Sequence, residues 1–480
     1  MWAAGHIRAD CPESKRSIPS NSGAPSVTLV IWVSNEWKRP RDARAGVVRV
    51  VLRLGLLVPP FLAASAFAAG GEGAGRAKER ARAEGEGVEG ESRGSPWPFV
   101  LLIFALSRLL FLVTGAVAAG MLPWAEPITR VVGPSGFLSY WAHWDGAWYS
   151  EIATDGYDNR LPMSAAFFPV FPMLLRLGTA VGGGTALWGV LISLVATPFA
   201  MYFLYRVAEK LQGVRGARIA VVTFAFFPTA FFLNAAYTEA LFLAFTTGSF
   251  WAAYVRRDLL LAGILGALAG ATRNFGVLLL IPLGYEWLRH RREFGWSGVW
   301  KLALVPTGLV AYIIFLWDRF GYPLLFFSAQ RSPVWRRELT DPVTALLMAW
   351  EKADRGLKHL LDPATLYLDP EGGVEVLKAY NSATFAFLLL LLVLVGMGFA
   401  VLPPHLSLYT TLLTLLPVLT PSPWVPLMGL PRYALGAFPL FLILGYLLSR
   451  SRLALYLWLF FSGALGVAFT ALFVTWRWMV

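Results

Sequence analysis

One stretch concentrates groups able to move a proton or hold a sugar: YWAHWDGAWYSEIATDGYDNRLPMSAAFFPVFP, residues 140–172. It places Asp145, Glu151, Asp155 and Asp158 among Trp141, Trp144, Trp148, Tyr149 and Tyr157. A carboxylate wedged between indoles at a membrane surface is partly desolvated, which makes it a stronger proton acceptor. Aromatic faces also stack on the apolar C–H patches of sugar rings. The plainer reading is an aromatic belt with solvated acids. Asp155 and Asp158 fall in DGYDN, which has turn composition. Glu151 shares a helical face with Ala147 and Asp155, and His143 reads as a belt residue beside Trp144. The five histidines are scattered, with no HExxH or paired spacing, and Cys11 is the single cysteine. No protein-built zinc site, cysteine-ligated cluster or internal disulfide is expected. Outer carboxylates could recruit a divalent ion, but no ligand spacing demands one.

The elements that must position these groups are membrane helices. Of 480 residues, 57% are hydrophobic and 15% charged, against about a quarter charged in an average soluble domain. The mean hydropathy is +0.58. A soluble globular or disordered protein is excluded, and the alternating segments of a β-barrel are missing. The expected class is an all-α polytopic membrane protein. The net charge is +12 and the pI near 9.8. In a membrane protein this reads as basic loops that fix orientation, not as a nucleic-acid partner.

From Pro96 onward the apolar pattern suggests about eleven spans of bilayer length, approximately 97–119, 185–206, 217–235, 239–255, 259–273, 275–289, 299–319, 381–402, 405–420, 431–449 and 453–475. With Pro96 inside, most loop Lys and Arg face inward, GVRGAR and RHRRE being the strongest anchors. The short outer loops and the end of the chain hold Arg273, Arg432 and Arg477. Two long segments, 121–184 and 321–380, then face outward, and loops of this length are usually functional. Both have stretches fit to lie along the interface, such as Phe167–Gly178, whose two prolines disfavour regular helix. The expected organisation is a low-complexity, signal-like extension over 1–95, a catalytic membrane module over 96–320, the second outer loop over 321–380, and closing helices over 381–480. Arg108 lies within the first span, where a charge is costly unless paired.

The motif order also matches a known family. His143-Trp144-Asp145-Gly146, Ile152-Ala153, Gly156-Tyr157 and Phe167-Phe168-Pro169-Val170-Phe171-Pro172 form a first block. Tyr237-Thr238-Glu239-Ala240-Leu241-Phe242 and Ala271-Thr272-Arg273-Asn274-Phe275-Gly276 form a second, and Leu430-Pro431-Arg432-Tyr433 with Phe438-Pro439 a weaker third. Across residues 97–480 the chain resembles the PIG-V type mannosyltransferases. It departs from their pattern at Thr238, where they carry serine, and lacks their serine after Arg273.

The resemblance implies a GT-C-like helical bundle and an inverting glycosyltransferase, an α-mannosyltransferase. Its donor would be a polyprenyl (dolichyl) phosphate mannose and its acceptor a glycolipid or other hydroxyl, on the outer or lumenal face. It implies Asp145 as general base, with Trp144, Tyr157, Glu239, Arg273 and Arg432 as substrate-binding residues. Arg331, Arg336 and Arg337 are further candidates for the phosphate, because a guanidinium fork matches phosphate oxygens. Gln330 and Trp335 suit a sugar phosphate head group. Each arginine also reads as a snorkelling anchor, and Glu239 as a helix cap. No cofactor is implied. The plasma membrane in a bacterium, or the endoplasmic reticulum in a eukaryote, would be the location. The rival functions are a multi-pass transporter or lipid flippase, and a non-catalytic scaffold of a glycosylation complex.

Overall fold

The computed structural model describes residues 94–125, 136–157, 162–368 and 373–477. The chain divides into two units, Met1–Ala43 and Arg44–Val480, and the described residues belong to the second. Apart from its last two residues, the amino-terminal extension lies outside the described residues, and so does Asp158.

No strand occurs among the described residues. Helices satisfy their own backbone groups, which lipid cannot do for them. Among the described residues, four helices are long and apolar enough to cross a membrane: Trp97–Met121, Thr185–Ala225, Gly373–Val401 and Arg452–Val474. A fifth crossing is Leu430–Gly436 with Phe438–Leu448, if that pair, bent by 81°, is one span. The chain is an integral membrane protein, but helix length does not support the eleven spans expected. The expected spans 185–206 and 217–235 fall on two helices that meet at a kink at Gly213, with φ 78°, and the second ends at Ala225 and gives way near Pro228 to the 3-10 turn Ala230–Asn234. The 299–319 span divides into Ser297–Leu302 and Thr307–Phe320 on either side of Pro306. Leu259–Thr272 has 14 residues, about 21 Å of helix against the ~30 Å of a hydrocarbon core.

The first long loop is folded into short helices: Phe137–Ala142, Asp145–Asp155, Pro162–Ala166 and Val170–Val181. The prolines expected to disfavour helix in this loop fall at its start. Pro169 is the N-cap and Pro172 lies in the first turn, where a missing N–H costs little. That helix buries Phe171 and Leu175 and exposes Met173, Leu177 and Val181. The second long loop carries Leu325–Ala329, Pro342–Leu360 and Pro363–Leu368.

Close backbone contacts set the helix positions around the site. A Cβ on Gly308 would fall 1.9 Å from the Ala267 carbonyl oxygen, and one on Gly263 would fall 2.2 Å from that of Lys301. The helix Leu259–Thr272, which ends at Arg273, is thus pressed against two neighbours at glycines. We expect Gly308→Val to lower stability by at least ~1–3 kcal/mol, the usual cost of overpacking. Gly284→Ala, whose Cβ meets open space, should leave it unchanged. Thermal unfolding in detergent compares the two, and equal melting temperatures would contradict this packing.

Candidate active site

Four charged side chains from distant parts of the chain meet in one network. Asp145 opens the helix Asp145–Asp155 and Glu239 opens Glu239–Tyr254. Arg273 is the extended residue that ends Leu259–Thr272. Arg432 sits in Leu430–Gly436, a short helix stopped at Ala437, just before Pro439 of the next. Arg432 Nη1 donates to Asp145 Oδ2 at 2.5 Å. Arg432 Nε and Arg273 Nη2 both donate to Glu239 Oε1. Arg273 Nε also donates to Thr238 Oγ1 at 2.8 Å.

Local backbone ties hold the two acids in register. The Ala236 N–H donates to the Trp141 carbonyl at 2.8 Å, and the Tyr237 hydroxyl donates to the His143 carbonyl at 2.9 Å. The segment before Asp145 is thereby fastened to the segment before Glu239. Ser193 Oγ donates to the Ala235 carbonyl at 2.6 Å. Arg108, left without a partner by the sequence, supports the same region from below. Its guanidinium donates to the carbonyls of Ala225 and Ala230 and to Asn234 Oδ1 at 2.7–2.9 Å. It thus satisfies carbonyls freed where the long helix stops.

Burial is graded across the network. Glu239 and Tyr237 are fully buried and Arg432 nearly so, while the Asp145 side chain remains 22% exposed. Arg432 lies over the Tyr237 ring at 4.6 Å and the Phe232 ring at 5.4 Å. The sequence suggested a carboxylate made basic by indoles around it. Instead the partner of Asp145 is an arginine from a distant part of the chain, Arg432. Glu239 Oε2 is buried without a hydrogen-bond partner among the described residues. Groups of His, Cys, Asp and Glu able to hold a metal ion are absent among the described residues.

Several aromatics complete the site. Tyr149, one turn after Asp145, meets Thr238 Oγ1 at 3.4 Å. Burial pushes its phenol up to about 12, so it stays a neutral hydrogen-bonding group. Trp148, on the same side of that helix as Asp145, stacks on Phe167 and packs against Trp335 of the second long loop, with ring centroids 5.6 and 6.2 Å away. The sequence singled out neither Tyr149 nor Trp148 for the site, although their i+4 and i+3 spacing from Asp145 was visible. Trp144 precedes Asp145 with a positive φ of 55° and packs against Trp476. Tyr157 is placed apart from the ion network. Its hydroxyl donates to the Phe167 carbonyl at 2.6 Å, and its ring packs on Tyr312 and Phe315. Of the other loop arginines, Arg331 lies over Phe327 and Arg336 over Trp424, while Arg337 reaches Tyr433.

Residues 124–290 match the family described as Mannosyltransferase (PIG-V). That match, over about a third of the chain, supports a glycosyltransferase, specifically a mannosyltransferase. The matched stretch holds Asp145, Glu239 and Arg273 but not Arg432, which the fold adds. Among solved structures, the archaeal oligosaccharyltransferase AglB from Archaeoglobus fulgidus, in complex with an inhibitory peptide and a dolichol-phosphate, is similar at 11% identity. The likeness covers 78% of this chain and 55% of that one, with a TM-score of 0.35, too loose to carry a fold assignment. None of the curated proteins matches the chain.

Two outcomes follow from this geometry. Removing one partner of a buried ion pair costs about 3–5 kcal/mol, because the other charge is stranded. Glu239→Gln and Arg273→Met should each destabilise on that scale, and the double variant should cost less than their sum by more than ~1 kcal/mol. A stability cycle in detergent measures this, and strict additivity would mean that the pair is not coupled.

His143, between the first two short helices, is buried against Trp476, and burial pushes its imidazole down to about 4 from 6.5. The unfolded chain then takes up this proton near pH 6.5 and the folded chain only near 4. The stability from keeping His143 neutral is full above pH 6.5 and is lost as pH falls through about 4. His143→Gln should flatten the acid limb of a melting-temperature profile between these values, and an unchanged limb would contradict the burial.

Proposed function

We propose that the protein is an inverting α-mannosyltransferase of the GT-C type that uses a polyprenyl-phosphate mannose donor. The acceptor is a hydroxyl of a glycolipid or related molecule, and the reaction takes place on the outer or lumenal face. The observation that carries this reading is the partly open Asp145 carboxylate, paired through Oδ2 with Arg432, which also holds the buried Glu239.

The donor phosphodiester carries one negative charge, and a guanidinium fork suits it. As the phosphate engages Arg432 and Arg273, it competes with Asp145 for Arg432 and frees that carboxylate for the acceptor. Asp145 takes the proton of the acceptor hydroxyl while that oxygen bonds to the anomeric carbon. The bond from that carbon to the phosphate oxygen breaks, and polyprenyl phosphate leaves with the electron pair. A single displacement through an oxocarbenium-like transition state inverts the centre, so a β-linked mannosyl phosphate gives an α-mannoside. Glu239 keeps Arg273 and Arg432 side by side, so that the phosphate meets a preformed cationic surface and little reorganisation is left for the reaction. Trp144 and Trp148 flank the base, and Trp148 offers a ring face for a sugar. Tyr157 acts at one remove, by fixing the Phe167 backbone behind Trp148.

The test is transfer of mannose by purified protein in nanodiscs from polyprenyl-phosphate mannose to a hydroxylated lipid acceptor. Asp145→Asn should lower kcat by about 10²–10⁴, the range for loss of a general base, with the protein still folded and inserted. Near-normal turnover in that variant would remove Asp145 as the base. A preference for another polyprenyl-phosphate sugar in a donor panel would remove mannose.

A further inference from the structure

The second long loop folds back onto the site through a cation that the first site residues do not explain. Arg337 Nη1 donates to the Tyr433 hydroxyl at 3.2 Å and Nη2 to the Met428 carbonyl at 2.8 Å. Its Nε is buried and has no hydrogen-bond partner among the described residues. None of the ion pairs among the described residues involves it. A half-buried guanidinium without a carboxylate is costly unless an anion arrives.

Its position is constrained on both sides. Tyr433 is the chain neighbour of Arg432, and its ring also packs on Phe275, two residues from Arg273. Tyr433 and Tyr380 each lie within the electrostatic reach of both Arg337 and Arg432, and Tyr433 also within that of Arg273. The residue before Arg337, Arg336, has a positive φ of 46°. Trp144, the residue before Asp145, also has a positive φ, of 55°. Strain of this kind persists where the surrounding structure over-determines a side chain's placement. Arg331 and Arg336 differ, since both are exposed and lie over single rings.

The charge count agrees. Arg273, Arg337 and Arg432 carry three positive charges, and Asp145 and Glu239 two negative ones. The one left over matches a singly charged phosphodiester. We propose that Arg337, backed by Tyr433, is a third anchor for the phosphate of a lipid-linked sugar donor, so that the second outer loop completes the donor site that the helices begin. This rests on the glycosyltransferase reading above. Arg337 adds a pair of N–H donors and a charge that Glu239 does not already neutralise. It belongs to donor binding and not to proton transfer.

The experiment measures displacement of a fluorescent polyprenyl phosphate by polyprenyl-phosphate mannose in nanodiscs of phosphatidylcholine. It is run in the Asp145→Asn background, so that turnover does not intervene. Arg337→Gln should weaken binding of both ligands by more than tenfold, Arg337→Lys by about three- to tenfold, and Tyr433→Phe by less. In the otherwise native enzyme, Arg337→Gln should raise KM for the donor with kcat changed by less than threefold. Inorganic phosphate at millimolar concentration should not compete, because the lipid tail supplies the rest of the affinity. Unchanged donor affinity in a folded Arg337→Gln protein would overturn the inference while leaving the enzyme reading intact. So would loss of the effect once phosphatidylglycerol is added, since Arg337 would then serve bulk anionic lipid. No binding of polyprenyl-phosphate mannose by the parent protein would sink the enzyme reading itself. If Arg337→Gln does not fold, Arg337→Lys and Tyr433→Phe decide the matter, and parent-like donor affinity in both counts against the anchor.

Discussion

A guanidinium shared by two carboxylates is the constraint on which the rest of the structure turns. Arg432 bridges Asp145 and Glu239 from inside the protein, and Glu239 is shared in turn with Arg273. Charges this far from water persist only when each has its counter-charge and its hydrogen bonds in place. Segments nearly 290 residues apart in sequence must therefore arrive together. The Ala236–Trp141 and Tyr237–His143 hydrogen bonds read as the means of that arrival, since the first joins the two acid-bearing motifs backbone to backbone and the second ties the buried Tyr237 hydroxyl to the His143 carbonyl.

The network also explains why helices break where they do. Both acids are the first residues of their helices, and Arg273 terminates its own. Carboxylates at N-termini and a cation at a C-terminus each complement the helix dipole. A continuous span would carry these residues past the site on its side. A terminus aims them into it and leaves space beyond. Pro228, Gly429 and Pro439 provide such stops, Gly429 with its left-handed φ of 74°. Arg108 then satisfies the carbonyls that one of these stops uncovers.

The sequence and the structure diverge along this line. Asp145, Glu239, Arg273 and Arg432 were all legible as candidates, because each sits in a short motif of distinctive composition. Their mutual pairing was not, because it depends on how separate helices pack and not on local period. For the same reason, helix length among the described residues does not confirm the span count. Hydropathy sees apolar length, but Pro306 and Gly213 interrupt or redirect helices without altering apolar content. The environment of Asp145 shows the gap most directly. Neighbouring indoles in the chain suggested desolvation as the dominant influence, whereas the nearest charged group comes from a residue far along the chain.

An arginine that occupies the Asp145 carboxylate has a consequence for the order of events at the site. In the ligand-free protein the carboxylate is engaged by Arg432 through Oδ2. On the mechanism proposed above, an anion that competes for Arg432 would release it. The phosphodiester of the proposed lipid-linked donor would meet that requirement, while a neutral acceptor would not. Donor-first binding would then follow from charge pairing alone, with no lid or domain motion needed to enforce it. Glu239 is what makes this exchange affordable. Fully buried and bonded to both arginines, it would, on that mechanism, keep Arg432 in position when Asp145 lets go.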